Sequence, residues 1–494
     1  MTNRFRGGLA LLALPLGACA LQPDYHRSAL GMPESWSNVS DEGLPPQAVA
    51  GNEPQPWWSQ LKDPAIDYLV AAAVQDNPTL AQAAARLDQA RARLAARDAA
   101  KMPGVGIEGS AARSRDQLNG SGGPSSQTST AIVARLSWEL DLWRRVRENA
   151  NAARLRVDAR SADAQGARLS VIGDIADNVI AARACHLALE VRDRDIASRE
   201  TELTISRARL SLGSIAPVAL AAARSNLASA RTDRIAQQES CLRLIDALVA
   251  LSGLDAGRVR AMLVLPGPEM GNATMYPDAA DPWLPTPPPY VPALPATVLL
   301  ANPSVMAAER EVAARWSDIA VARAERMPRI DLSAMLTGQW IRAFGSDSSF
   351  SSNSIGATLS APLFDSGARA ANVRAAQGAY RESVAQLLLV VRTTVRDIED
   401  GLAASQSAAL RTGTLQDGLA AARFALVANE ARWRAGAISQ FELEDSRRQF
   451  NQAQQATIAA RADRARAWVA LMRRTAVIAG QGTVLDMENG EGAR

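Results

Sequence analysis

The sequence predicts a mainly α-helical chain with a membrane β-barrel part, built from two internal repeats and assembled as a trimer. Three observations predict this fold class: an ordered internal duplication, two pairs of alternating strand-like stretches, and two very long helical stretches without proline. Each chain would contribute four strands to a 12-stranded β-barrel that continues into a long α-helical barrel.

The duplication consists of four landmarks that recur in the same order, at offsets of 223 to 225 residues. Chance resemblance between alanine- and arginine-rich helices can produce one match, but not four in a constant order and spacing. The matching pairs are Asn77-Pro78 with Asn302-Pro303, Met102-Pro103 with Met327-Pro328, 136–140 with 359–363, and 208–215 with 431–438.

Period-two alternation of apolar and polar residues predicts the strands. In the stretch 130–141, Ile132, Leu136 and Leu140 share one face with Trp138, while Val133 and a series of charged and polar residues occupy the other. Alternation over about ten residues is what a membrane strand with one lipid face and one wet face requires. The alternative is two soluble hairpins packed on one side. The four predicted strands are 104–114, 130–141, 329–341 and 353–363.

Two stretches of 70 residues without proline, 143–212 and 366–435, predict unusually long helices. At 1.5 Å per residue such a helix would measure about 105 Å, whereas average helices have about 11–12 residues. Glycine-centred turns at Gly213 and Gly436 break each stretch, and a shorter helix then returns. We therefore expect long helical hairpins over about 143–252 and 366–478.

These elements predict an assembly, because four strands cannot close a barrel and open strand edges are not tolerated in lipid. Three chains would supply twelve strands, and the same trimer would bring the long hairpins together as a tube. The sequence therefore predicts a homotrimer.

The N-terminus predicts a lipoprotein signal. Arg4 and Arg6 precede a short apolar run that ends in Leu16-Gly17-Ala18-Cys19, the pattern of a bacterial lipobox in which the cysteine is acylated. The alternative is an ordinary secretory signal with an incidental cysteine. Because Ala20 follows Cys19 where an aspartate would favour the inner membrane, we expect a lipid anchor in the outer membrane.

The chain is thereby divided into six segments. They are a signal peptide (1–18), a lipidated linker (19–60), the first repeat (61–264), a proline-rich segment (265–295), the second repeat (296–480) and a C-terminal tail (481–494).

The order of these motifs resembles the TolC-like outer-membrane efflux family, in its lipoprotein branch that works with resistance-nodulation-division (RND) transporters. The residues that carry the resemblance are Leu16–Cys19, Trp57-Trp58, Asp63-Pro64, Asn77-Pro78, 138–143, 361–367 and 431–436. The resemblance implies a trimeric exit duct for drugs or other small molecules that extends into the periplasm. It also implies a periplasmic adaptor (membrane fusion protein) and an inner-membrane RND-type transporter as partners, and no catalysis.

The resemblance further implies a periplasmic gate at Phe441, Asp445 and Arg448, which follow the second hairpin turn. Positions i, i+4 and i+7 lie on one helix face, and threefold symmetry would turn that face into stacked rings. The alternative is a solvated ion pair between Asp445 and Arg448. Glu442 and Glu444 leave open which acid dominates the ring.

The two hairpin tips resemble the tips that meet the adaptor in this family. Arg209 and Gly213 mark the first tip, and Arg432 and Gly436 mark the second. The simple alternative is turn chemistry, because a glycine is needed for the reversal.

Cys185 and Cys241 lie 28 residues on either side of Gly213, so an antiparallel hairpin places them at a similar depth. An oxidising periplasm allows a disulfide there, although equal depth does not ensure that the two side chains face each other.

Other function classes find no support in the sequence. No nucleophile–base pair, metal-ligand cluster or phosphate loop indicates an enzyme or a cofactor, and a net charge of +3 does not indicate a nucleic-acid partner. Two alternatives stay open: a periplasmic coiled-coil scaffold lipoprotein and the outer-membrane duct of a type I protein secretion system.

Overall fold

The computed structural model describes residues 25–26, 31–38, 56–116, 125–263, 284–289, 295–343 and 346–475. The signal peptide, Cys19, most of the proline-rich segment and the C-terminal tail lie outside the described residues.

The helices repeat in length, and this confirms the predicted two-repeat, mainly helical fold. Helices α2 and α7 each have 22 residues, α3 and α8 each have 67, and α4 and α9 each have 36. Short helices α1, α5 and α6 flank them. The bounds are α1 Pro64–Asp76, α2 Pro78–Ala99, α3 Arg145–Ser211, α4 Pro217–Ser252, α5 Ala256–Leu263, α6 Pro295–Ala301, α7 Pro303–Ala324, α8 Ala368–Arg434 and α9 Gln440–Thr475.

The chain forms two compact units, which we describe separately. Among the described residues, the sheet unit comprises those within Ala85–Ala162 and Met306–Val390. The hairpin unit comprises Gly31–Ala84, Asp163–Val305 and Val391–Arg494.

The sheet unit contains one four-stranded antiparallel sheet in the order β1-β2-β3-β4. The strands are Gly104–Asp116, Ser125–Leu140, Arg329–Ala343 and Ser346–Ser360. Two predicted boundaries were wrong, because β2 begins before residue 130 and β4 runs over 346–360 where 353–363 was predicted. The serine-rich stretches pair along the neighbouring strand, as Trp340 does with Ser349, and Pro362 beyond β4 has no N–H to continue the ladder.

The strand register places most of the large apolar residues on one face of the sheet. Val105 lies opposite Leu136, Leu136 opposite Ala334, and Ala334 opposite Ile355. Directly paired residues point to the same side, so these four side chains form an apolar row across all strands. Val105 is 74% exposed and Ile355 is 91% exposed. The face is therefore apolar and open.

In the hairpin unit, the recurring Asn-Pro landmarks have the same structural role in both repeats. The carbonyl oxygen of the Asn77 side chain accepts from Thr79 N at 2.9 Å, and its amide donates to Leu251 O at 2.8 Å. Asn302 does the same with Ser304 N at 3.0 Å and with Arg474 O at 3.1 Å. Asn77 thus caps α2 and binds the end of α4, and Asn302 caps α7 and binds the end of α9.

Residues 31–38 of the predicted linker also belong to the hairpin unit. Trp36 is buried with Ile398, Leu402 and Leu471. The backbone amides of Ser37 and Asn38 donate to the Glu399 carboxylate at 2.7 and 2.9 Å. This part of the linker is therefore fixed to helix α8 by one aromatic side chain and one carboxylate.

Within the described residues, no helix is both long enough and apolar enough to cross a membrane.

Candidate functional site

The three residues predicted as a gate lie together in the first turns of α9. The Arg448 guanidinium donates from Nη2 to Asp445 Oδ1 at 3.0 Å, and its carbon Cζ lies 5.8 Å from the centroid of the Phe441 ring. This contact is within cation–π range. Phe441 is 67% exposed. We call Phe441, Asp445 and Arg448 the gate face.

The two neighbouring acids are engaged by other partners. Glu442 forms a capping box with Ser439: Ser439 N donates to Glu442 Oε2 at 2.8 Å, and Glu442 N donates to Ser439 Oγ at 3.2 Å. The bond from the Ser439 amide lowers the pKa of Glu442 below its usual range. This acid therefore stabilises the start of α9.

Glu444 is buried at 2% exposure and points away from solvent. Gln440 Nε2 donates to its carboxylate at 2.7 Å, Arg447 Nη1 donates at 2.9 Å, and the Ser198 hydroxyl of α3 donates as well. Of the three acids near the turn, Asp445 is the one that shares a face with Phe441.

A fourth acid, Glu202 on α3, lies within electrostatic reach of this cluster and was not found by sequence reasoning. Burial raises the pKa of Glu202, and the nearby Glu444 carboxylate raises it further, while Arg448 and Arg199 act in the opposite direction. Because Glu202 belongs to the first repeat and the gate face to the second, no local pattern in the sequence connects them.

Helices α3 and α9 are joined near the gate face by polar pairs. Arg194 Nη2 donates to Gln454 Oε1 at 3.0 Å, and Asn451 Nδ2 donates to Asp195 Oδ1 at 3.4 Å. Each hairpin, by contrast, has an apolar cluster between its own two helices: Leu203, Leu220, Ala223 and Leu227 in the first, and Leu419, Leu426, Leu443 and Phe450 in the second. Apolar packing therefore holds each hairpin together, while hydrogen bonds connect the two hairpins here.

The two hairpin tips share one backbone pattern. Gly213 has φ +68° and Gly436 has φ +73°, a conformation that favours glycine. The amide after each glycine donates to the carbonyl of Arg209 or Arg432 at 2.9 Å. Both arginine side chains are exposed. The glycines are thus needed for the turn, and the role of these tips as adaptor contacts stays a prediction.

Cys185 on α3 and Cys241 on α4 are joined by a disulfide, with Cα atoms 5.6 Å apart. The bond links the two helices of the first hairpin well away from its turn. Cys19 lies outside the described residues.

Replacing both hairpin cysteines with serine is expected to lower thermal stability. A cross-link that closes a loop of 56 residues stabilises the folded state by about 4 kcal/mol through the entropy of the unfolded chain. The thermal midpoint of the purified protein in detergent should fall on addition of dithiothreitol, and the midpoint of the double serine variant should not respond. Two free thiols at Cys185 and Cys241 in denatured, unreduced protein would contradict the bond.

Two repeats of helical hairpin and strand pair, with an exposed apolar sheet face, define the class of outer-membrane channel proteins. The family model described as "Outer membrane efflux protein" matches residues 69–254 and 294–476. The chain therefore belongs to the outer membrane efflux protein family, which confirms the resemblance seen in its sequence. It is the outer-membrane channel of an efflux system.

Known proteins of similar length agree with this. The outer membrane protein OprJ of Pseudomonas aeruginosa is 26% identical and aligns over 89% of this chain and 88% of its own. The pyoverdine export outer membrane protein OpmQ of Pseudomonas putida is 28% identical over 90% and 91%. The crystal structure of the Campylobacter jejuni CmeC outer membrane channel has the same fold, with a TM-score of 0.77 at 18% identity over 95% and 98% of the two chains.

Proposed function

We propose that this protein is the passive exit duct of a tripartite efflux pump for drugs or other small molecules. It works as a homotrimer without catalysis of its own. A periplasmic adaptor (membrane fusion protein) and an inner-membrane RND-type transporter are its partners.

The observation that carries this proposal is the open four-stranded sheet. Among the described residues, β1 and β4 form its two outer strands, and each pairs with another strand on one side only. Unpaired strand edges and an exposed apolar face are stable in lipid only when the sheet closes. Three copies would supply the twelve strands of a closed barrel.

The lipid at Cys19 serves as an additional anchor. Trp36 lies 17 positions after Cys19, which is a contour of at most about 60 Å. Since Trp36 and the amides of Ser37 and Asn38 are fixed on α8, the lipid must enter the outer membrane within this distance of that contact.

The gate face would close the periplasmic end of the duct. In a homotrimer Phe441 would form an apolar ring, and Asp445 an acidic ring four residues further along α9. The cation–π contact and the ion pair of Arg448 would hold both side chains in place. The exposed tips at Arg209, Gly213, Arg432 and Gly436 would then meet the adaptor.

The cargo is proposed only as a class. OpmQ is named for the export of pyoverdine, and OprJ is named as an outer membrane protein. Selection of the cargo would lie with the inner-membrane transporter.

The function can be tested in cells that lack the gene. We expect such cells to accumulate a fluorescent small-molecule dye when energised, and a plasmid copy should restore export. The purified protein should have the native mass of three chains in detergent. Unchanged dye accumulation together with a monomeric mass would contradict the proposal.

A further inference from the structure

The sheet unit contains a groove between α2 and α3 that is lined by arginines and carries no acid. Its volume is about 690 Å³, which is in the range of ligand sites. The lining residues are Arg86, Gln89, Ala90, Arg93, Ala96 and Arg97 of α2, and Asn149, Ala153, Arg156 and Arg160 of α3. We call this surface the arginine groove.

The helical spacing shows that the groove is formed by one face of each helix. The α2 residues follow a three- and four-residue spacing, and so do those of α3, with alanines between the long side chains. Arg93 and Arg97 are four residues apart. Like charges at this spacing destabilise a helix. An anion between the two helices would remove that cost.

The acids nearby are engaged elsewhere. Asp88 of α2 pairs with Arg91 at 3.3 Å, outside the groove. Arg156 of the groove has acidic partners on α7, because its Nη2 binds Asp318 at 2.5 Å and its Nε lies 3.8 Å from Glu311.

Arg86, Arg93 and Arg97, by contrast, are exposed and have no acidic partner among the described residues. Three unneutralised guanidinium groups therefore face one cavity.

We propose that the arginine groove binds a phosphate-bearing anion. Guanidinium groups bind phosphate oxygens through paired N–H donors, and several of them favour a multiply charged ligand over a single carboxylate. Gln89 and Asn149 add amide donors for ester or hydroxyl oxygens. The phosphate belongs either to a soluble molecule or to a lipid headgroup.

The lipid source is compatible with the position of the groove, because α2 ends at Ala99, just before β1 begins at Gly104. Binding of a lipid headgroup depends on the proposed position of the sheet in the membrane, whereas binding of a soluble phosphate does not depend on it.

Calorimetric titration of the full-length protein in uncharged detergent at low salt tests the proposal. The probes are inorganic tripolyphosphate, short-chain phosphatidylglycerol and, as the uncharged comparison, short-chain phosphatidylcholine. We expect binding of one or both anionic probes. The variant Arg93→Gln/Arg97→Gln should bind at least about tenfold more weakly, since each charge-assisted bond contributes to affinity.

Arg91→Gln is the matched control, because Arg91 lies on the same helix but pairs with Asp88 outside the groove. Its affinity should stay within about twofold of the parent. Tripolyphosphate binding alone assigns a soluble ligand, and phosphatidylglycerol binding alone assigns a lipid.

Equal affinity in the parent and the double variant would overturn the proposal, as would an equal loss in Arg91→Gln. Loss of the trimeric mass in the double variant, without anion binding by the parent, would show that the groove is a contact between protomers. Dye export and native mass are measured in parallel for the parent and the variants. A failure of the proposed duct function is thereby distinguished from a failure of anion binding.

Discussion

Replacing Asp445 with alanine is expected to raise the single-channel conductance of the trimer in planar bilayers by at least about twofold, because a ring of charged side chains at a constriction limits passage. The substitution also removes the partner of Arg448, whose Nη2 lies 3.0 Å from the carboxylate. Block by divalent cations added on the periplasmic side should disappear, since three symmetry-related carboxylates would no longer bind them.

Glu442→Gln is the control for this experiment. Glu442 lies three residues before Asp445 in the first turn of α9, but its carboxylate accepts from Ser439 N, and glutamine preserves the capping box. The control removes one acid per chain from the same turn, so its conductance and cation block should match those of the parent. If both variants behave alike, or if Asp445→Ala changes neither quantity, the gate assignment is wrong.

The fold was largely predictable because its signals are local and repeated. Period-two alternation, the absence of proline and a glycine at each reversal each determine the backbone conformation of the residues next to them in the sequence. The strand ends were less predictable, since the serine-rich stretch 346–352 has weak strand propensity and extends β4 only because β3 lies beside it.

The surroundings of the gate face could not be predicted in the same way. Spacing along α9 placed Phe441, Asp445 and Arg448 on one face, but the contact of Ser198 with Glu444 joins residues 246 positions apart. Glu399, which binds the amides of Ser37 and Asn38, is more than 360 positions from them. Contacts at such separations depend on how the helices pack, which one sequence does not specify.

A large effect on stability is expected in the hairpin unit, at a buried ion pair. Arg183 Nη2 donates to Asp63 Oδ1 at 2.8 Å, and the two side chains are 5% and 2% exposed. Asp63 also caps α1 by accepting from Ala65 N at 3.0 Å. Burial raises the pKa of Asp63, against the effect of Arg183, and burial lowers the pKa of Arg183. The two buried ions therefore stabilise each other.

Arg183→Met should lower the free energy of unfolding by about 3–5 kcal/mol, because it leaves the Asp63 carboxylate buried without its counter-ion. In detergent we expect the thermal midpoint to fall by roughly 10 °C. Arg207→Met, an exposed substitution on the same helix, should stay within about 0.5 kcal/mol of the parent. A midpoint for Arg183→Met equal to that of Arg207→Met would show that the pair contributes little.

Two further measurements separate charge burial from a loss of packing. In Asp63→Asn/Arg183→Met no charge remains buried, and asparagine caps a helix as well as aspartate does, so most of the lost stability should return.

The dependence of stability on pH has a definite sign. Because the pKa of Asp63 is raised in the folded state, the folded chain binds the proton more strongly, and this contribution to stability falls as pH rises above the ordinary value of 3.8. Without Arg183 the pKa of Asp63 should rise further. The loss of unfolding free energy in Arg183→Met, relative to the parent, should therefore be smaller near pH 5 than near pH 8. The loss of unfolding free energy in Arg183→Met could instead be independent of pH and persist when Asp63→Asn is added. That result would mean that Arg183 acts by filling space between α1 and α3.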